Sequence, residues 1–277
     1  MSTTIYAPDA ALEAKGLTHH YRRISGSLFR PAEHVHVLTG LDIRIATGEA
    51  VGIVGRSGSG KSTMLRILLG LERPDSGEVR VGGELLRARS GRGLRAFRRH
   101  VQYIPREPAT SLDPRMTVEQ LVVDPLRRLD VPGDHRAIAR QALESVHLGE
   151  QLLRRRPGEL SGGQAQRVAI ARALATGARI LLADEPVSGL DRPLRDEVLQ
   201  LFGDIVREQG VGVGFVSHDL DAVRLLCGQS CVLSDGQIVE TGETSELLSN
   251  PKHEATRAIV NARPRLRAVP PEGGPTE

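Results

Sequence analysis

The chain has 277 residues, 39% of them hydrophobic and 26% charged, with a formal net charge of +3. That length supports one large domain or two small ones around a core that needs no disulfide staple, and the charge gives no sign of a nucleic-acid partner. No stretch approaches the roughly 18 uncharged apolar residues of a membrane span, the N-terminal MSTTIYAPDA lacks a secretory apolar core, and two cysteines, Cys227 and Cys231, exclude a disulfide framework. A cytoplasmic protein is expected, held at a membrane only by a partner.

In chain order, residues 1–10 read as frayed. LEAKGLTHHY and residues 34–45 read as strands around a loop over residues 22–33. Ala50–Val54 is an apolar run ending at Gly55, the pattern of a buried strand followed by a tight turn. Met64, Leu65, Leu68 and Leu69 then fall at helical spacing within residues 62–71. Short strands are expected at residues 78–81 and 101–104. Between residues 110 and 158, apolar residues such as Val118, Leu121, Val122, Leu126, Ile138, Ala142 and Val146 recur at helical intervals between prolines. This predicts a helical insertion. A helix (163–176), a strand (180–183), a helix (194–208) and a strand (211–216) follow. Residues 230–234 and 237–241 read as a hairpin turning on Asp235-Gly236. The tail after Pro264 is rich in Pro, Gly and charge and is expected to be disordered. Alternating strands and helices argue an α/β domain with a largely parallel sheet.

Gly55-Arg56-Ser57-Gly58-Ser59-Gly60-Lys61-Ser62 matches G-x-x-x-x-G-K-[ST] at every fixed position, between an expected strand and an expected helix. The glycines let successive N–H groups turn inward toward phosphate oxygens. The helix N-terminus adds partial positive charge. Lys61 is placed to reach the β- and γ-phosphates, and the Ser62 hydroxyl to ligate Mg²⁺. Lys15, Lys61 and Lys252 are the only lysines among 37 basic residues, so a compact ammonium at position 61 stands out in an arginine-rich chain.

The acidic partner expected for Ser62 is Asp184, which ends the run Ile180-Leu181-Leu182-Ala183. A carboxylate at the end of a buried strand can complete the Mg²⁺ shell. Glu185 follows where the chain must turn, and is placed to act as general base on an attacking water.

Leu160-Ser161-Gly162-Gly163-Gln164 precedes Asp184 by about a helix and a strand, and the stretch LSGGQAQRVAIARAL resembles the signature of the ATP-binding cassette (ABC) family. Ser188-Gly189-Leu190-Asp191 resembles that family's D-loop, with Asp191 a binding candidate, and His218 in VSHDL its switch histidine. Tyr21 stands where the family places a ring against adenine, and Thr63 extends the phosphate loop. The resemblance implies an α/β P-loop ATPase core with a mainly parallel sheet, an N-terminal antiparallel β subdomain and a helical subdomain insertion. It divides the chain into a frayed start (1–10), the first core part (11–105), a helical subdomain opening on the Q-loop (106–160), the second core part (161–250) and a partly disordered tail (251–277).

Ser161 with the N–H groups of Gly162 and Gly163 offers a second anion site at a helix start. One chain cannot easily fold that site onto its own phosphate loop. The resemblance implies a head-to-tail dimer, with a paralogue or a second copy, in which ATP is shared between subunits. It also implies two integral membrane permeases, an extracytoplasmic solute-binding protein acting indirectly, and a peripheral position on the cytoplasmic face of the inner membrane. SLDPRMTVEQL, LTHHY, AFRRHVQ and DGQIVETG resemble the branch that imports peptides or nickel. The runner-up is an ABC ATPase accessory to a cytoplasmic complex, such as a phosphonate-cleaving lyase.

Residues 250–257 resemble that branch's tail, with Glu254 and Ala255 departing from it, and a further departure stands at the Q-loop. Relatives in that branch carry a glutamine where this chain has Arg106, and a guanidinium has no acceptor atom with which to ligate a cation. The side chain is therefore expected to turn away from Mg²⁺ or to pair with phosphate. Elsewhere, Cys227 and Cys231 read as buried thiols, His34 and His36 as a solvated pair, and Arg87, Arg89, Arg92, Arg95, Arg98 and Arg99 as a solvated basic face.

Overall fold

The computed structural model describes residues 11–23, 33–86 and 91–262. The readings of residues 1–10, of most of the 22–33 loop, of Arg87 and Arg89, and of the tail after Pro264 lie outside them. The described strands are β1 (Ala11–Arg23), β2 (Glu33–Ala46), β3 (Ala50–Val54), β4 (Ser76–Val81), β5 (Glu84–Leu85), β6 (Val101–Ile104), β7 (Ile180–Asp184), β8 (Gly212–Val216), β9 (Gln229–Ser234) and β10 (Gln237–Glu243). The α-helices are α1 (Lys61–Leu68), α2 (Arg92–His100), α3 (Val118–Arg128), α4 (His135–Glu144), α5 (Gly162–Leu174), α6 (Arg192–Gln209), α7 (Leu220–Leu226), α8 (Thr244–Ser249) and α9 (Glu254–Asn261).

Two sheets carry the fold. The first, ordered β2-β1-β4-β5, is antiparallel throughout. The second, ordered β10-β9-β3-β8-β7-β6, is parallel except for the β9–β10 hairpin at its edge. Strand β7 shows why its sequence is an unbroken apolar run. Ile180 and Leu182 enter the cluster that contains Leu12 of β1, Leu38 of β2 and Met64 of α1. Leu181 and Ala183 enter the cluster that contains Val168 of α5, Phe202 of α6 and Val122 of α3. A strand covered on both faces has no polar side to alternate.

The helical insertion begins at α3 with a capping box: Thr117 Oγ1 accepts from the Gln120 N–H, and Gln120 Oε1 from the Thr117 N–H. Such reciprocal caps satisfy helix-start N–H groups. The apolar stripe Val118, Leu121, Val122 and Leu126 is buried, and α3, α4 and α5 pack on one another. The sequence reading has no helix at α2 and treats its arginines as solvated. The structure adds the helix and gives Arg95 and Arg99 partners, while Arg98 stays exposed as read. Arg99 Nε donates to Leu129 O at 2.6 Å, Arg99 also bonds Asp130 O, and Arg95 Nε lies 3.0 Å from an Asp130 carboxylate oxygen. These cations cap the C-terminal end of α3, where helix carbonyls lack partners.

Helices α7, α8 and α9 are also absent from the sequence reading. Helix α9 is pinned by Glu240 of β10, which accepts from the N–H groups of Lys252 and His253 and from Thr256 Oγ1. Both cysteines are buried free thiols, as read. His34 and His36 are exposed and lie beside His20, ring centroids 4.6 and 5.9 Å away. Among the described residues no group of three or more ligating side chains is arranged to hold a metal, and no helix is long and apolar enough to cross a membrane.

Candidate active site

The phosphate-loop sequence spans the turn from β3 to α1. Gly60 caps α1 at φ 106°, in the left-handed region, and a Cβ there would lie 2.8 Å from Val37 O. Only glycine meets both demands. It also offers no side chain to the first N–H groups of α1, and the first turn carries no acidic residue. A helix start of this kind favours an anion. Lys61 Nζ donates to the carbonyls of Gly55 at 2.6 Å and Arg56 at 2.8 Å, so the ammonium sits over the curl of its own loop. Burial pulls the Lys61 ammonium below its ordinary value, and the carboxylates of Glu185 and Asp184 oppose that shift.

The acidic pair comes from the end of β7. Asp184 is the last strand residue, and Tyr103 on neighbouring β6 donates to its Oδ2 at 3.2 Å. Burial pushes the Asp184 carboxyl up, the Tyr103 bond opposes this, and the nearby Glu185 carboxylate adds to the rise. Glu185 takes a left-handed φ of 48°. Its N–H donates to Val216 O at 2.8 Å, and its own carbonyl accepts from Ser188 N–H at 3.0 Å. Adjacent strand residues would face opposite ways. This turn instead carries both carboxylates to one side, as the sequence reading expects. His218, just beyond β8, brings Nδ1 to 3.0 Å from Glu185 Oε1.

A cleft of about 590 Å³ gathers Gly55, Ser57, Gly58, Gly60, Lys61, Ser62 and Thr63 with Asp184, Glu185 and His218. Arg56 and Ser59 belong to the same loop, with Ser59 N–H donating to Arg56 O at 3.2 Å. Arg106 also lines the cleft. Its Nε is 3.3 Å from Glu185 Oε2 and its Nη2 donates to Ser188 Oγ at 3.0 Å. Arg106 therefore contacts the candidate base while staying in the same cleft as Ser62 and Asp184.

Other sequence candidates lie outside the cleft lining. Tyr21 is partly exposed, donates to Glu72 Oε2 at 2.9 Å and comes within 3.4 Å of Thr63 Oγ1. Ser161 caps α5 in a capping box with Gln164, at 3.2 and 3.1 Å, and Gly162 and Gly163 form the first turn. Asp191 caps α6 through Leu194 N–H at 3.1 Å. The sequence reading misses Tyr103 and the Ser188 hydroxyl. An aromatic ring at the end of a strand that pairs with β7 is the one signal that could have pointed to Tyr103.

A family profile described as ABC transporter matches residues 38–188, more than half the chain. The chain belongs to the ABC transporter family. This ABC ATPase is 38% identical over 91% of its length to a putative peptide import ATP-binding protein of Brucella ovis, covering 78% of that protein. It is 35% identical over 92% of its length to the oligopeptide transport ATP-binding protein OppF of Lactococcus lactis, covering 81% of it. The glutathione import ATP-binding protein GsiA of Escherichia coli O157:H7 matches at 37% identity over 94% of this chain, which spans 42% of that longer protein. Among solved structures, a dimeric ATP-binding cassette in a post-hydrolysis state with ADP and Pi superposes at TM-score 0.71. It is 31% identical, over 84% of this chain and 98% of that one. The ABC ATPase core inferred from the motifs is therefore the fold observed, and ATP is its nucleotide.

Proposed function

We propose that this ABC ATPase powers a peptide importer from the cytoplasmic face of the inner membrane. In this reading it pairs with a second ATPase subunit and docks on two permeases fed by a solute-binding protein. The convergence of Lys61, Ser62, Asp184, Glu185 and His218 in one cleft carries the hydrolytic part of the reading. The names of the relatives support peptide rather than nickel cargo.

Each side chain has a task in the proposed mechanism. Lys61 and the N–H groups at the start of α1 bind the β- and γ-phosphate oxygens. Ser62 and Asp184 present a hydroxyl and a carboxylate, the hard oxygen donors that suit Mg²⁺. Bound there, Mg²⁺ supplies charge neutralisation of the phosphates. Tyr103 orients Asp184 by its hydrogen bond. Glu185 accepts a proton from water, the water oxygen bonds to the γ-phosphorus, and the bond to the bridging oxygen breaks, so that ADP leaves with the electron pair. His218 holds Glu185 Oε1 at 3.0 Å and lines the same cleft as the phosphate loop, and its assigned task is to hold the γ-phosphate and the attacking water.

The test is Glu185→Gln in the chain expressed with its neighbouring genes. Hydrolysis should be lost while ATP binding remains, and the variant should run as an ATP-dependent dimer on size exclusion. Two polytopic membrane proteins should copurify. Wild-type turnover in Glu185→Gln would remove Glu185 as base, and copurification of lyase subunits alone would replace the importer by an enzyme complex.

A further inference from the structure

We propose that Arg106 is a latch on Glu185: its guanidinium spans the Glu185 carboxylate and the Ser188 hydroxyl and keeps Oε2 from water until the γ-phosphate draws it away. The proposal rests on the reading of Glu185 as the hydrolytic base.

The geometry has three parts. First, Arg106 makes two contacts at once, Nε at 3.3 Å from Glu185 Oε2 and Nη2 donating to Ser188 Oγ at 3.0 Å. A planar guanidinium fork can do this, whereas an ammonium is a single point charge. Second, Glu185 Oε2 has no exposed surface and no hydrogen-bond donor among the described residues. The 3.3 Å contact is thus an ion pair without hydrogen-bond alignment. It covers an oxygen whose lone pairs remain uncommitted. Oε1 is already engaged, 3.0 Å from His218 Nδ1. An oxygen that takes a proton from water must first meet that water, so the guanidinium has to move.

Third, the moving part must be Arg106. The Glu185 backbone is fixed at φ 48° by its bond to Val216 O and by Ser188 N–H on its own carbonyl. Arg106, by contrast, is 61% exposed at the side chain and follows the end of β6. It lines the same cleft as Lys61 and Ser62. A γ-phosphate held by Lys61 presents more negative charge and more acceptor oxygens than one carboxylate, and guanidinium–phosphate pairs are strong and often bidentate. Nucleotide and Glu185 therefore compete for one cation. Arg106 is a positioning residue here, acting through Glu185.

The test compares steady-state ATP hydrolysis by this chain and its variants. Arg106→Gln should raise kcat by roughly two- to fivefold, the scale of an ion pair with one exposed partner. Arg106→Lys should also raise it, because an ammonium cannot span both acceptors. Ser188→Ala should raise it by less. Melting temperatures should stay together, since Arg106 is exposed. An unchanged or lowered kcat in Arg106→Gln overturns the latch.

Glu185→Gln separates the two ideas. Turnover in that variant removes the base reading, whereas a dead Glu185→Gln with an indifferent Arg106→Gln overturns the latch alone. A turnover-free readout is the ¹⁵Nε–H resonance of Arg106, assigned by its loss in Arg106→Lys. It should shift in Glu185→Ala and again in wild type on adding a non-hydrolysable ATP analogue with Mg²⁺. A resonance unmoved by either change overturns the latch.

Discussion

Lys61 Nζ donates to two carbonyls of its own loop, which places the ammonium over the loop's curl. Lys61→Ala should leave the fold intact and cost ATP affinity severely; calorimetry that returns wild-type affinity would contradict the phosphate role. The two cysteines make a prediction of a different kind. Burial pushes both thiols up, from an ordinary value of 9.0 to about 12. A thiol ionises more readily in the unfolded chain, so these groups favour the fold below pH 9 and lose that contribution as pH rises from about 9 toward 12. Ellman's reagent at pH 8 should find no fast thiol in the native protein and two after denaturation. At this scale the sequence is an uneven guide. Lys61, Ser62, Asp184 and Glu185 are legible because their neighbours in the chain define the chemistry. Tyr103 on Asp184 and Arg106 on Ser188 are not, because those pairs lie 81 and 82 residues apart and only the parallel sheet brings them together.

Among the elements, the start of α5 shows one cap serving two readings. Ser161 and Gln164 exchange side-chain and backbone hydrogen bonds, which satisfies N–H groups at the helix start. Ser161→Ala should therefore lower stability by about 1 kcal/mol, measured by denaturant unfolding, besides any loss of nucleotide contact across a dimer. Ser161→Asn keeps a capping side chain and separates the two effects. Phe215 on β8 and Phe202 on α6 meet edge-on at 6.0 Å in the core. Phe215→Ala should cost about 3–5 kcal/mol through the cavity it leaves. The central strands β3, β7 and β8 are legible as apolar runs, since burial on both faces leaves no other pattern. Helix α2 is hidden for the opposite reason: its arginines look solvated, and their hold on the end of α3 is a contact between distant segments. Helices α7 to α9 are only six to eight residues long, too short to show a helical period.

For the whole molecule, the decisive feature is what the cleft leaves out. Lys61, Ser62, Asp184, Glu185 and His218 share one cleft, while Ser161, Gly162 and Gly163 cap a helix outside its lining. A helix start set apart from the phosphate loop fits the proposed head-to-tail dimer, and a dimeric cassette is among the solved structures this chain resembles. The prediction is complementation. Lys61→Ala removes the phosphate side of each composite site, and Ser161→Arg obstructs the signature side. Each variant alone should be inactive. In a self-paired dimer, mixing them leaves mixed pairs with one intact site, built from the Lys61 of one subunit and the Ser161 of the other. Random pairing of equal amounts then restores roughly a quarter of the wild-type specific activity. The recovery should need both variants and ATP, and should fall on dilution as pairs dissociate. Two folded variants that restore nothing in mixture would point to a paralogue as the partner, because a signature helix supplied by another chain is untouched by Ser161→Arg in this one.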